Sequence, residues 1–284
     1  MSLLKSFLFS AVLTTVISLY AEESPTSLPD GVVTTTNNVS IKLTFKFNGL
    51  NAWIKVPKSN PNKQHWVMRS RWADFHTETD HILLAKGFYI AFVDAGGMLG
   101  CDKALDIWDK FYDLLVNKYG FGKEMSLEAV SRGGLFALRW AARHPERINS
   151  IYLDSPVCDL KSWPLGKWKG DKDKTGIKQI RKYYGLNTDE EILAYDENPI
   201  DDKIVSVIAK HKIPIMALVN DIDRIVPPSE NIYIFAKKYK AISGLNVKIL
   251  HPRPNGNFRL KGHHFVVPNP EVSAEFIINN TNKK

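Results

Sequence analysis

The chain has 284 residues, 44% hydrophobic and 24% charged, with a net charge of +8. That is ample for one large core, and two cysteines are too few for a disulfide scaffold. The positive charge favours anionic partners, but no nucleic-acid-binding motif accompanies it, so nucleic acid is not expected among them.

The chain opens with Lys5, an apolar run from Phe7 to Leu19, and Ala21 ahead of Glu22-Glu23. This pattern predicts a signal peptide over residues 1–21 and a secreted or periplasmic protein of residues 22–284. Leu19 rather than alanine stands three residues before the cut, and an uncleaved anchor is the alternative. No other stretch is long enough to cross a bilayer, so no membrane contact is expected once the signal is gone. Lys5 is the only charge in the signal, which leaves +7 on the mature chain.

Residues 22–40 are polar and read as a leader. Lys42 to Phe47 and Ala52 to Val56 alternate apolar and polar around Asn48-Gly49, which predicts a hairpin. His65 to Met68 and Phe88 to Asp94 read as buried strands with a helix, Thr79 to Lys86, between them. Ala104 to Tyr119 is an amphipathic helix carrying Ile107, Trp108, Phe111, Leu114 and Leu115 on one face. Strands follow at Met125 to Val130, Ile148 to Asp154, Ile213 to Val219 and Leu245 to Leu250. Continuous apolar strands alternating with helices predict an α/β fold, with a mostly parallel sheet covered on both faces.

One segment breaks the rhythm. Residues 157–202 are polar and basic, carry Trp163, Trp168, Tyr183 and Tyr184, and separate two core strands. An insertion there is expected over the carboxyl ends of the strands, as a lid or substrate platform. A solvated surface loop is the plainer reading.

The apolar strand before Ser131 stops abruptly, and Arg132-Gly133-Gly134 opens a helical pattern. That lifts the serine hydroxyl onto a sharp strand-to-helix turn, a G-x-S-x-G elbow with Ala129 in place of the first glycine. A serine hydroxyl needs a base to take its proton and an acid to orient that base. Asp223 follows the strand at 213–219 and precedes Val226-Pro227, with Asp221 as the alternative. His263 follows Gly262 just before the last helix, with His264 as the alternative. Adjacent histidines point apart and no third ligand is suitably spaced, so neither a metal nor a cofactor is expected.

Ser131-Arg-Gly-Gly134, Asp223-x-x-Val-Pro227 and Gly262-His263, in that order, resemble the α/β-hydrolase superfamily over essentially the whole mature chain. The likeness is to secreted bacterial esterases and to the dienelactone-hydrolase and prolyl-oligopeptidase-like branches. It implies an α/β-hydrolase fold and a serine hydrolase using Ser131, Asp223 and His263. A His-Gly-Gly oxyanion loop is absent. The oxyanion donors are therefore expected from the backbone N–H of Arg132 and of Ser70 or Arg71. The Ser131-Arg132 pair also resembles glucuronoyl esterases, although Leu135 stands where that family has lysine.

Arg69, Trp72, Trp163 and Trp168 are the candidate substrate-binding residues, beside Arg71 and Arg132. Guanidinium forks match carboxylates, and tryptophans stack on sugar rings. An ester of an anionic polysaccharide is the expected substrate. A peptidase of the prolyl-oligopeptidase type and a non-enzymatic binding protein are the rivals. Cys101 and Cys158 are open to pairing or to remaining free.

Overall fold

The computed structural model describes residues 28–253 and 258–281. The signal-peptide expectation for residues 1–21 lies outside them. At the start, β1 (Val32–Thr36) lies antiparallel on β2 (Ser40–Phe47). The chain then reverses at Asn48-Gly49, with φ of 49° and 79°, into β3 (Leu50–Pro57). Phe47 faces Leu50 across this two-residue turn, as the Asn-Gly signal predicts.

Parallel strands follow, alternating with helices. They are β4 (Trp66–Arg69), α1 (Glu78–Ala85), β5 (Tyr89–Val93) and α2 (Asp102–Asp113). Next come β6 (Met125–Val130), α3 (Gly133–Arg143) and β7 (Ile148–Asp154). Two helices, α4 (Lys174–Tyr184) and α5 (Asp189–Ala194), precede α6 (Asp202–Lys210) and β8 (Ile215–Leu218). The chain closes with α7 (Ile232–Ser243), β9 (Lys248–Leu250) and α8 (Pro270–Thr281).

Among the described residues nine strands form one sheet, in the order β1-β2-β3-β5-β4-β6-β7-β8-β9. The first three are antiparallel, β3 joins β5 antiparallel, and every pair from β5 to β9 is parallel. Every residue of β4 to β8 is buried, because helices cover both faces. On one face Trp108 of α2 packs on Phe136 and Trp140 of α3. On the other, Leu83 of α1 and Ala274 and Ile277 of α8 cover Val67, Tyr152 and Met216. Cys101 and Cys158 are both buried and free.

Residues 157–202 are not the solvated loop of the plainer reading. Val157, Leu160, Trp163, Leu165, Ile177, Ile180 and Ile192 form their own apolar cluster with Leu99, Leu135 and Val226. The charge that dominates the segment's composition is concentrated on exposed lysines, while these apolar side chains anchor it. Among the described residues no helix is long and apolar enough to cross a membrane.

Candidate active site

Three loops at the carboxyl ends of parallel strands converge. The first follows β6, where Ser131 takes a left-handed φ of 53°. Its N–H donates to the Asp154 carbonyl at 2.8 Å, and its own carbonyl accepts from Gly134 and Val157. The turn is tight enough that a Cβ on Gly133 would sit 2.4 Å from the Ser70 hydroxyl oxygen. The same Cβ would lie an ordinary 3.5 Å from the Ala129 side chain. Position 133 therefore demands glycine, whereas position 129 tolerates the alanine that replaces the usual one.

The second loop follows β8 and carries Asp223; the third follows β9 and carries His263. His263 Nδ1 lies 2.6 Å from Asp223 Oδ2, and its Nε2 lies 2.8 Å from Ser131 Oγ. With the proton on Nδ1, His263 donates to Asp223 and leaves Nε2 to accept the serine proton. Asp223 Oδ1 accepts the Ile225 and Val226 N–H groups at 2.8 and 2.9 Å, which fixes the carboxylate. All three side chains are buried.

The two loops are also tied to each other. Asn220 Nδ2 donates to the Gly262 carbonyl at 2.8 Å, and the Arg224 N–H donates to the Lys261 carbonyl. Gly262, at φ 91°, passes so close that a Cβ would lie 2.8 Å from the Ile222 carbonyl oxygen. The glycine before the histidine is thus a packing requirement.

The two alternatives lie elsewhere. Asp221 accepts the Tyr233 hydroxyl and faces His251 at 3.6 Å. His264 turns toward Phe75 and His76. Burial, with His263 and His76 nearby, pushes its pKa down to about 4.

Three expectations are corrected. Arg69 is not at the substrate surface: it is 0% exposed. Its Nη1 bonds Asp80 at 3.0 Å and Glu128 at 2.8 Å, and its Nη2 donates to the Phe75 and His76 carbonyls. Burial alone would lower its pKa, but Asp80 and Glu128 hold it above the usual value. Burial pushes the Glu128 carboxyl well up, against the pull of Arg69. The Ser70 N–H is no oxyanion donor either, because the Glu128 carbonyl takes it at 3.0 Å as the sheet pairing continues. Trp163 is no open platform, since it is buried in the cluster beneath α4.

The other site residues stay near the serine or the surface. Among the described residues, no acceptor is bonded to the N–H of Arg71 or Arg132. The Arg132 guanidinium lies over the rings of Trp72 and Trp163, 5.2 and 4.9 Å from their centroids. Arg71 stacks on Trp72 at 4.5 Å. Trp168 is 49% exposed beneath Lys167. Among the described residues no group of three or more histidine, cysteine or acidic side chains is placed to hold a metal.

A second histidine pair was not foreseen: His76 Nδ1 lies 2.5 Å from Asp154 Oδ2. The buried cluster of Arg69, Asp80 and Glu128 was also missed. Its signal was present, because Glu128 inside an apolar strand needs a buried cation.

No protein-family model and no curated protein matches the chain in sequence. Solved structures do match in shape. Dipeptidyl peptidase 4 from Porphyromonas gingivalis aligns with a TM-score of 0.59 at 14% identity, over 85% of this chain and 36% of its own. Est1E from Butyrivibrio proteoclasticus aligns at 0.57 and 18% identity, over 85% of this chain and 99% of its own. A thermostable esterase from Pseudomonas putida ECU1011 aligns at 0.53 and 17% identity, over 75% and 72%. The chain therefore has the α/β-hydrolase fold. It spans little more than a third of the peptidases it matches, including 37% of the Pyrococcus horikoshii acylaminoacyl peptidase.

Proposed function

We propose that this protein is a serine hydrolase that cleaves carboxylic esters. The observation that carries the reading is the continuous chain Ser131 Oγ, His263 and Asp223, at 2.8 and 2.6 Å, at the carboxyl ends of the strands. Ser131 Oγ attacks the ester carbonyl carbon while His263 Nε2 takes its proton, and Asp223 stabilises the imidazolium. The Arg132 and Arg71 N–H groups receive the oxyanion. Collapse breaks the bond to the alcohol, which leaves with the proton from His263. Water, deprotonated by the same base, then releases the acid from Ser131.

The finer reading is a secreted carbohydrate esterase acting on acidic or acylated polysaccharide. The N-terminal signal pattern, the net charge of +8 and the exposed Trp168 among lysines support it. Residues 157–202 would then serve as a substrate platform. The likeness to dipeptidyl peptidase 4 keeps a serine peptidase as the second reading.

The test is initial rates of the mature protein and its Ser131→Ala variant on p-nitrophenyl acetate, methyl-esterified pectin, acetylated xylan and a proline-containing peptide amide. Ester turnover lost in the variant is the expected result. Turnover of the amide alone would move the protein to the peptidases, and unaltered ester turnover in the variant would remove Ser131 from the mechanism.

A further inference from the structure

Arg132 directly follows Ser131 in the chain, and its guanidinium shares the Trp72 ring with that of Arg71. The buried arginines, unlike these two half-buried ones, are met by carboxylates: Arg69 by Asp80 and Glu128, Arg139 by Asp102 and Glu197 at 3.1 and 3.3 Å. Arg132 has no ion pair among the described residues; its side-chain partner is the neutral Gln179 of α4, at 3.3 Å. Arg71 has one carboxylate, Asp94, at 3.5 Å, and that group is itself 45% exposed.

Both side chains are nevertheless held in place. Trp72, itself at a left-handed φ of 57°, carries Arg71 at 4.5 Å and Arg132 at 5.2 Å from its ring, and Arg132 also lies 4.9 Å from the Trp163 ring. The loop after β5 gives way to Arg71, since a Cβ on Gly96 would lie 2.1 Å from Arg71 Nη1. A guanidinium stacked on aromatic rings keeps its N–H donors at its edge, where a planar two-oxygen acceptor fits them. Burial, then the charge of Arg71, lowers the Arg132 pKa against the opposing pull of Asp173, so the two like charges stand close enough to repel. An anion entering there relieves that repulsion.

We propose that Arg71 and Arg132 form a carboxylate clamp beside Ser131, so that the esters cleaved carry a free carboxylate close to the scissile bond, as in a partly esterified uronate chain. The clamp rests on the reading of Ser131 as the nucleophile only for its catalytic use; binding is measured without turnover. Arg132 thereby serves twice, its N–H toward the oxyanion and its side chain toward the substrate's charge.

The experiment is calorimetric titration of the Ser131→Ala protein with trigalacturonate, its fully methyl-esterified form and inorganic phosphate. It is repeated with Arg71→Gln and Arg132→Gln added separately, with circular dichroism checking each fold, so that one unfolded variant leaves the other informative. Trigalacturonate is expected to bind at least tenfold tighter than its ester, and each glutamine variant is expected to lose about tenfold. Equal binding of acid and ester, or unchanged affinity in a folded variant, would overturn the clamp. Phosphate binding as tightly as the uronate would also overturn it, by marking a generic anion site. Ester turnover without carboxylate preference faults the clamp alone, whereas carboxylate binding without any turnover faults the hydrolase reading alone.

Discussion

Two aspartate–histidine pairs sit on the same edge of the sheet. Asp223 holds His263 at 2.6 Å, and Asp154, at the end of β7, holds His76 at 2.5 Å. They differ in what meets the far side of the ring. His263 Nε2 faces the Ser131 hydroxyl, whereas His76 stacks on Phe75 and lies against His264 and Phe265. A short contact to a carboxylate therefore marks a positioned imidazole. It becomes a base for nucleophilic attack only where the turn of a neighbouring strand presents a hydroxyl to it. The supports differ too: Asn220 ties the His263 loop to the Asp223 loop, and Arg69 ties the His76 loop to the core through the Phe75 and His76 carbonyls.

The sharpest way to break this comparison is to remove each carboxylate in turn. Asp223→Asn is expected to lower kcat about ten-thousand-fold with the fold retained, because the imidazole loses the partner that sets its tautomer. Asp154→Asn is expected to keep kcat within about tenfold and to cost about 1–3 kcal/mol of stability, as a buried hydrogen-bonded group is disturbed. Steady-state kinetics beside urea unfolding read both. Equal losses of kcat would erase the distinction between the pairs.

Next in size is the support of the second pair. Arg69→Met removes the ion pair of buried Glu128 and leaves Asp80 only Lys55, at 3.5 Å, and is expected to cost about 3–5 kcal/mol in urea unfolding. A loss under about 1 kcal/mol would return Arg69 to the surface role that its sequence position suggested.

The smallest effect concerns His264, which lies beside both histidines of the two pairs. Its folded pKa of about 4 is below the ordinary 6.5, so the fold prefers the neutral ring. The stability this contributes is present above pH 6.5 and is lost as pH falls toward 4. Its ring resonances are expected to titrate near pH 4 by NMR, and His264→Gln is expected to reduce the fall in melting temperature over that range. A midpoint near 6.5 would contradict the burial that sets it.

Much of the fold was legible because it rests on local signals. Asn48-Gly49 dictates its own turn, and buried strands such as Tyr89–Val93 read as unbroken apolar runs. The convergence of Ser131, Asp223 and His263 was legible through chain order and through the glycines beside them. What stayed hidden depends on long-range partners. A strand-end arginine looks alike whether it faces solvent or Asp80 and Glu128, and His76 meets Asp154 from 78 residues away. Ser70 and Arg71 are neighbours with opposite fates, because sheet pairing extends one residue past β4 and takes only the first N–H. In residues 157–202, polar composition masked an apolar stripe on α4, Ile177 and Ile180, that holds the segment down.

The most direct test of the account is covalent. Treating the mature protein with a fluorophosphonate and mapping the adduct by mass spectrometry asks whether Ser131 is an activated nucleophile, without any choice of substrate. One adduct per chain, on Ser131 and absent from Ser131→Ala and His263→Gln, is the predicted result. No adduct on a folded protein, or labelling at Ser131 that survives His263→Gln at the same rate, would contradict it.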